Sequence, residues 1–177
     1  LFPKYKTELR KQLHIDYDAL RAATMAARAE ELTAAAAAGA PTIDLCVAGD
    51  SEVSAFAVCN ADGGDPWYGD FHDRDRVTDQ DSADLAAAGK AVYLAGQARA
   101  DADLPVVVLT MTTSNHAVSA QALRRDALRA RVHGAVNVVD RAVHNPALEV
   151  CRLPGYRSWR EVSLTDLLTD PAIAQES

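Results

Sequence analysis

The chain has no apolar run of the roughly 18 residues that a membrane-spanning helix needs. It has three cysteines, Cys46, Cys59 and Cys151, and no Cys-x-x-Cys spacing among them. An odd, scattered set argues against a disulfide framework and a structural zinc site. Each thiol sits in an apolar run and reads as buried core. Aromatic residues are scarce at 6%, while alanine is used heavily. That bias reads as the mark of a GC-rich coding sequence and carries no functional signal. No Gly-x-Gly-x-x-Gly follows the first strand, which speaks against a dinucleotide site. No Gly-x-Ser-x-Gly elbow offers a hydrolase nucleophile, and no internal repeat is evident. Positive charge is in deficit: 18 Lys and Arg stand against 25 Asp and Glu, a formal net charge of -7. Such a balance argues against loose, purely electrostatic binding to nucleic acid or acidic membranes. The opening residues, Leu1 to Lys6, lack the apolar stretch of a secretory signal, so the cytoplasm is the expected location.

What the chain does have fits one domain with an appendage. Its 177 residues suffice for a normal core. Charge is unevenly spread: residues 41–104 are acidic, whereas 121–160 carry Arg124, Arg125, Arg129, Arg131, Arg141, Arg152, Arg157 and Arg160 against few acids. A basic segment in an acidic protein reads either as a phosphate-binding face or as a solvated face paired with its own acidic half.

Hydrophobic spacing predicts a helical arm over 1–40 and an α/β domain over 41–177. In the arm, Leu9, Leu13, Leu20, Met25 and Leu32 form a sparse stripe over 5–38, ended by Gly39-Ala40-Pro41. So thin a stripe packs on its own domain or on a second copy, which makes a homodimer through residues 5–38 an expectation to test. Next come two strands, 42–49 and 52–61, joined as a hairpin, and a short third strand at 67–71. A helix follows to about Ala100, with Asp81 or Ser82 as its cap. Pro105–Met111 reads as a buried central strand. A helix capped by Ser114 or Asn115 comes after it. Residues 135–143 fit either a helix or a strand, 147–153 read as a strand, and Ser163 caps a last helix through Thr169, ended by Asp170-Pro171.

Three antiparallel strands followed by alternating helices and strands resemble the ribonuclease H-like fold over about 42–170. Local patterns extend the resemblance: Gly49-Asp50-Ser51 after the first strand, Asp81-Ser82-Ala83-Asp84-Leu85 in the first helix of the domain, and Leu164-Thr165-Asp166-Leu167 in the last. The resemblance implies a mixed sheet with flanking helices and two-metal phosphodiester hydrolysis. It makes Asp50, Asp84 and Asp166 the Mg²⁺ ligands and catalytic acids. It also puts Thr113 where a metal-bridging acid belongs, and Pro154-Gly155-Tyr156-Arg157 where a Gly-His pair often helps product release. Threonine is a poor Mg²⁺ ligand, so the resemblance implies weak metal binding and slow or lost cleavage. A sensor fold of the GAF-like kind and a three-layer Rossmann-type fold are the alternatives.

Other constellations have competing readings. Asp70, His72, Asp73 and Asp75 form either a divalent-metal site or a charged, soluble loop. Asp62-Gly63-Gly64-Asp65 is a hairpin turn more than a calcium loop. His116 lies just past the central strand, where ligand sites form in open α/β sheets, and is a candidate for proton transfer. Tyr156 and Trp159 interleave with Arg157 and Arg160. Together with Arg124 and Arg125 these arginines are the candidate nucleic-acid contacts, although aromatic–arginine loops also make protein hot spots. Two functional readings follow: a Mg²⁺-dependent nuclease, or a non-catalytic binding and assembly module that dimerises through its arm.

Overall fold

The computed structural model describes residues 2–13 and 16–170. Its centre is a five-stranded open mixed sheet in the order β3-β2-β1-β4-β5, flanked by helices. β1 (Thr42–Asp50) pairs antiparallel with β2 (Ala55–Cys59), and β2 with β3 (Trp67–Asp70). On its other side β1 runs parallel to β4 (Val107–Thr113), and β4 to β5 (Val132–Val138). The parallel strands are joined by helical crossovers, α3 (Gln80–Asp101) between β3 and β4 and α4 (Ala120–Ala130) between β4 and β5.

Alternation along β1 sorts its side chains between two faces. Ile43, Leu45 and Val47 join Phe56, Val58, Val107, Leu109, Met111 and Val132 in the main core under α3 and α4. Cys46 and Ala48 point the other way and meet Ala57 and Cys59. α3 lies close on the sheet because the side chains it buries are mostly alanine: Ala83, Ala87, Ala88, Ala91, Ala95 and Ala98. A Cβ built on Gly49 would stand 2.3 Å from the carbonyl oxygen of Ala83, so only glycine permits this approach.

The caps differ from expectation by a few residues. α3 starts under Asp79, whose carboxylate accepts the Ser82 N–H, while Ser82 Oγ accepts the Asp79 N–H in return. α4 is capped by Ser119, five residues beyond Ser114, because a loop first carries the chain past the end of the sheet. The ambiguous stretch at 135–143 is strand up to Val138. The strand expected over 147–153 is instead a short helix, α5 (Ala147–Val150), opened by Asn145-Pro146. It lays Ala147, Val150 and Cys151 on the second face of the sheet, a contact that a strand at this point could not supply. The last helix, α6 (Leu164–Leu167), is shorter than predicted. Thr169 then pairs with Thr42 through two backbone hydrogen bonds. Pro171, the predicted stop signal, lies outside the described residues.

The arm is two helices, α1 (Phe2–Leu13) and α2 (Tyr17–Ala37); residues 14 and 15, within the predicted 5–38 helix, lie outside the described ones. Asp16 caps α2, and Gly39 follows it at φ +93°, as its place after a helix predicts. Leu32 of α2 packs with Val106 and Leu128 beside Met25, Ala29 and Ala35, fastening this half of the helix to α4 and β5. Lys6 and Arg10 of α1 pair with Asp18 of α2, and the Lys6 ammonium holds the Asp18 carboxyl below the usual carboxylate range. No helix among the described residues is long and apolar enough to cross a membrane.

Candidate functional site

The carboxyl ends of β1 and β4 gather a dense polar cluster around Asp84, which is 7% exposed. Asp84 Oδ1 accepts the Gly49 N–H at 2.9 Å. Its Oδ2 accepts the side-chain amides of Gln80 and Asn115, both at 2.9 Å. Gln80 also donates to the Gly49 carbonyl at 2.7 Å, and its own oxygen accepts from Ser51. Asn115 donates to Asp81 as well, and its backbone N–H donates to the hydroxyl of the buried Thr113. Three donors fill most of the acceptor positions of one carboxylate. Asp84 therefore acts as a bolt joining β1, α3 and the loop after β4.

Asp50 ends β1 on the opposite face of the sheet from Gly49, as strand alternation requires. Its Oδ1 accepts the N–H groups of Glu52 and Val53 and so shapes the hairpin turn; its Oδ2 lies 3.7 Å from Arg152. Asp166 sits on α6, three residues before Thr169, which pairs with the first residue of β1. Eight residue steps along β1 separate that end from Asp50, roughly 26 Å. The three acids expected to share Mg²⁺ thus occupy a buried hydrogen-bond hub, a turn on the other face and the far end of the sheet. They do not converge, and their donor set does not fit a two-metal centre. Among the described residues no three His, Cys, Asp or Glu side chains form a metal-sized group.

A second feature is larger. An open groove of about 1660 Å³ runs along the outer face of α3. Aromatic rings line one end in a continuous chain: Phe56 and Trp67 at 5.4 Å, Trp67 and Tyr93 at 6.0 Å, Tyr93 and Trp159 at 5.6 Å. Lys90 Nζ lies 4.4 Å from the Phe56 ring centre and 3.5 Å from Asp75. Tyr93 is 45% exposed and Tyr156 is 81% exposed, so two phenol rings face the groove and solvent. Arg74, Arg76 and Arg160 stand on its rim with no ion pair among the described residues. Arg160 stacks at 5.2 Å on Trp159.

No family model, curated protein or solved structure matches this chain.

The remaining predicted residues divide between these places. Arg157 is half-buried; it pairs with Asp65 at 2.7 Å and donates to the carbonyls of Pro66 and Glu161, which holds the 151–160 loop against β3. It is a brace, with little of its guanidinium left for a ligand. Arg124 and Arg125 are exposed on α4, away from the aromatic end of the groove. His116 is exposed in the loop after β4, next to Asn115. Asp73 and Asp75 lie in a single 3-10 turn, where Asp75 accepts the His72 N–H and pairs with Lys90, so the acidic cluster is tied internally.

Sequence reasoning missed Gln80 and Asn145, and offered Asn115 only as a helix cap. Asn145 is 2% exposed; its amide donates to the Val47 carbonyl and its oxygen accepts the Ala147 N–H, so it joins β1 to α5. The Asn145-Pro146 pair was the available signal, since such a dipeptide commonly opens a helix. The three cysteines also meet unexpectedly, all in the cluster beneath α5, with Cys46 directly opposite Cys59. Burial pushes the Cys59 thiol up to about 12 and Cys151 to about 11, and raises Cys46 as well. Thiols so placed are neutral and unreactive near pH 7.

Proposed function

We propose that this chain is a single-stranded nucleic-acid-binding module of ribonuclease H-like build that does not depend on a two-metal centre. The observation that carries the reading is the α3 groove, lined by exposed and half-buried rings together with arginines that make no ion pair among the described residues. Bases stack on aromatic faces without regard to sequence, and guanidinium groups neutralise phosphates. The net charge of -7 does not oppose this, because the cations that matter are local to the groove. The fold supports the same reading at the coarse level: an open mixed sheet whose first three strands are antiparallel, flanked by helices, is what the resemblance implies. Under this reading Asp84 stands where the resemblance puts a helical acid, and its hydrogen bonds to Gly49, Gln80 and Asn115 make it part of the framework and not a metal ligand.

The test is binding of fluorescent oligothymidylate and oligouridylate at low salt, read by anisotropy and by quenching of Trp67 and Trp159. Binding is expected, and Tyr93→Ala and Tyr156→Ala should each weaken it by about 1–2 kcal/mol. Incubation with Mg²⁺ or Mn²⁺ should leave single strands and RNA–DNA hybrids intact. Absence of binding at low ionic strength would remove the proposal. Cleavage abolished by Asp84→Ala would restore the nuclease reading.

A second reading concerns the arm. α1 packs against α2, and its Tyr5 and Leu13 side chains are exposed, which favours self-association through this segment. Sedimentation of the whole chain and of a chain lacking residues 1–38 checks it; equal association states would dismiss the arm's role.

A further inference from the structure

Between α2 and α4 lies a second cleft, of about 340 Å³, lined by Arg21 and Arg28 from α2 and Arg125 and Arg129 from α4. No carboxylate lines it, and none of the four makes an ion pair among the described residues. Four other arginines are paired, Arg10 with Asp18, Arg131 with Glu31, Arg152 with Asp50 and Arg157 with Asp65, whereas the groove's Arg74, Arg76 and Arg160, like those of the cleft, make no ion pair among the described residues. Four guanidinium groups around one cleft that no carboxylate lines raise the local positive potential, and a bound anion would lower it. Arg129 also lines the α3 groove, so the two depressions meet around the second half of α4. Arg125 is one helical turn from Arg129, on the same side of α4. Arg21 and Arg28 extend the row by roughly 10 Å along α2.

We propose that the α2–α4 cleft continues the nucleic-acid path, so that a strand seated in the α3 groove passes over Arg129 and Arg125 onto the arm. This rests on the groove reading and adds to it a ligand length and a function for α2. Leu20 and Met25 in the same cleft give it some apolar lining. A row of cations that make no ion pair among the described residues and that meets the groove at Arg129 favours a polyphosphate backbone over an acidic polypeptide.

The experiment compares the full chain with an Arg21→Ala/Arg125→Ala variant. Both positions are exposed on helix surfaces, and matching thermal melts would show that both proteins are folded. The probes are oligothymidylates of about 8 and about 24 nucleotides, within and beyond the span of one short binding surface. The longer probe should bind the variant about ten-fold more weakly, and its dependence of log affinity on log salt should be shallower by about 1.4, since each lost phosphate contact removes about 0.7 on single strands. Binding of the shorter probe should not change. Equal loss on both probes, or loss on neither, overturns the extended path while leaving the groove reading in place. Failure of both probes on the unaltered chain sinks the groove reading, and the extension with it. Competition by polyglutamate that the variant abolishes, with the longer probe unaffected, assigns the cleft to an acidic protein and overturns the proposal.

Discussion

The two faces of the sheet differ in how they are covered. Under α3, α4 and α6 the strands present Ile43, Leu45, Val47, Val58, Leu109 and Met111, a continuous aliphatic layer. On the other face the four residues of α5 cover only a patch of small side chains and thiols from β1 and β2. Beyond that patch the second face turns polar: Asp44, Ala135 and Asn137 are exposed and Thr110 and Thr112 are half-buried. Helix length sets the difference. A helix of 22 residues crosses the whole sheet and calls for apolar partners along β1, β2 and β4. A helix of one turn cannot, so the uncovered strands are solvated and take threonine, asparagine and aspartate. The polar hub at Asp84 belongs to the covered face, where an unsatisfied donor is costly, and no buried side-chain polar atom among the described residues lacks a partner.

Substitutions on the two faces should separate them. The largest effect is expected from Gly49→Ala. Its Cβ would overlap the Ala83 backbone, and α3 must lift from β1, at roughly 3 kcal/mol or more. Urea unfolding should show the midpoint falling without a change in slope. Asp84→Ala should follow at about 2–3 kcal/mol, because it strands the Gly49 N–H and the two amides. Asp84→Asn sharpens the point: its own amide would face the amide donors of Gln80 and Asn115, so it too should destabilise, by about 1–2 kcal/mol. If Asp84→Asn is neutral while nucleic-acid binding collapses, Asp84 serves a ligand and not the framework.

On the second face the expected effects are smaller. The thiol of Cys59 titrates at about 12 in the fold, against 9.0 when unburied. Because the raised value belongs to the folded state, its contribution is complete below about pH 9 and is lost as pH rises toward 12. Stability followed across that window should therefore fall more steeply for the natural chain than for Cys59→Ala. A thiol reagent near pH 8 should label Cys59 only after unfolding. Labelling at native rates would mean that α5 opens readily. Smallest of all, Asp44→Asn on the solvated part of this face should shift stability by less than about 0.5 kcal/mol in the same urea assay. A larger change would show that something covers the polar half.

Local patterns carried much of the fold. The β1–β2 hairpin, the short β3, the α3 helix and the buried β4 were legible because hydrophobic period and turn residues act within a few residues of themselves. α5 was misread because Leu148, Val150 and the neighbouring Cys151 mimic a short strand; what decides the helix is the Asn145-Pro146 start and the sheet patch that it covers. At the site, the sequence singled out Asp84, yet the bond that defines its role comes from Gly49, 35 residues earlier in the chain. It grouped Asp50 and Asp166 with Asp84 by resemblance, and no local rule could show that one points through the sheet and the other sits at its far end. Arg157 and Arg160 looked equivalent, although one is consumed by Asp65 and the other lines the groove beside Trp159 with no ion pair among the described residues.

By itself the sequence determined an α/β chain with a helical arm, an acidic half, a basic segment and buried thiols, since composition and periodicity are properties of neighbours. Tertiary structure alone decided that the acids part company, that three scattered cysteines meet, and that rings from β2, β3, α3 and the 151–160 loop line one groove. Those outcomes depend on which strands pair and how closely α3 approaches β1, and such distances are set by packing across the whole chain.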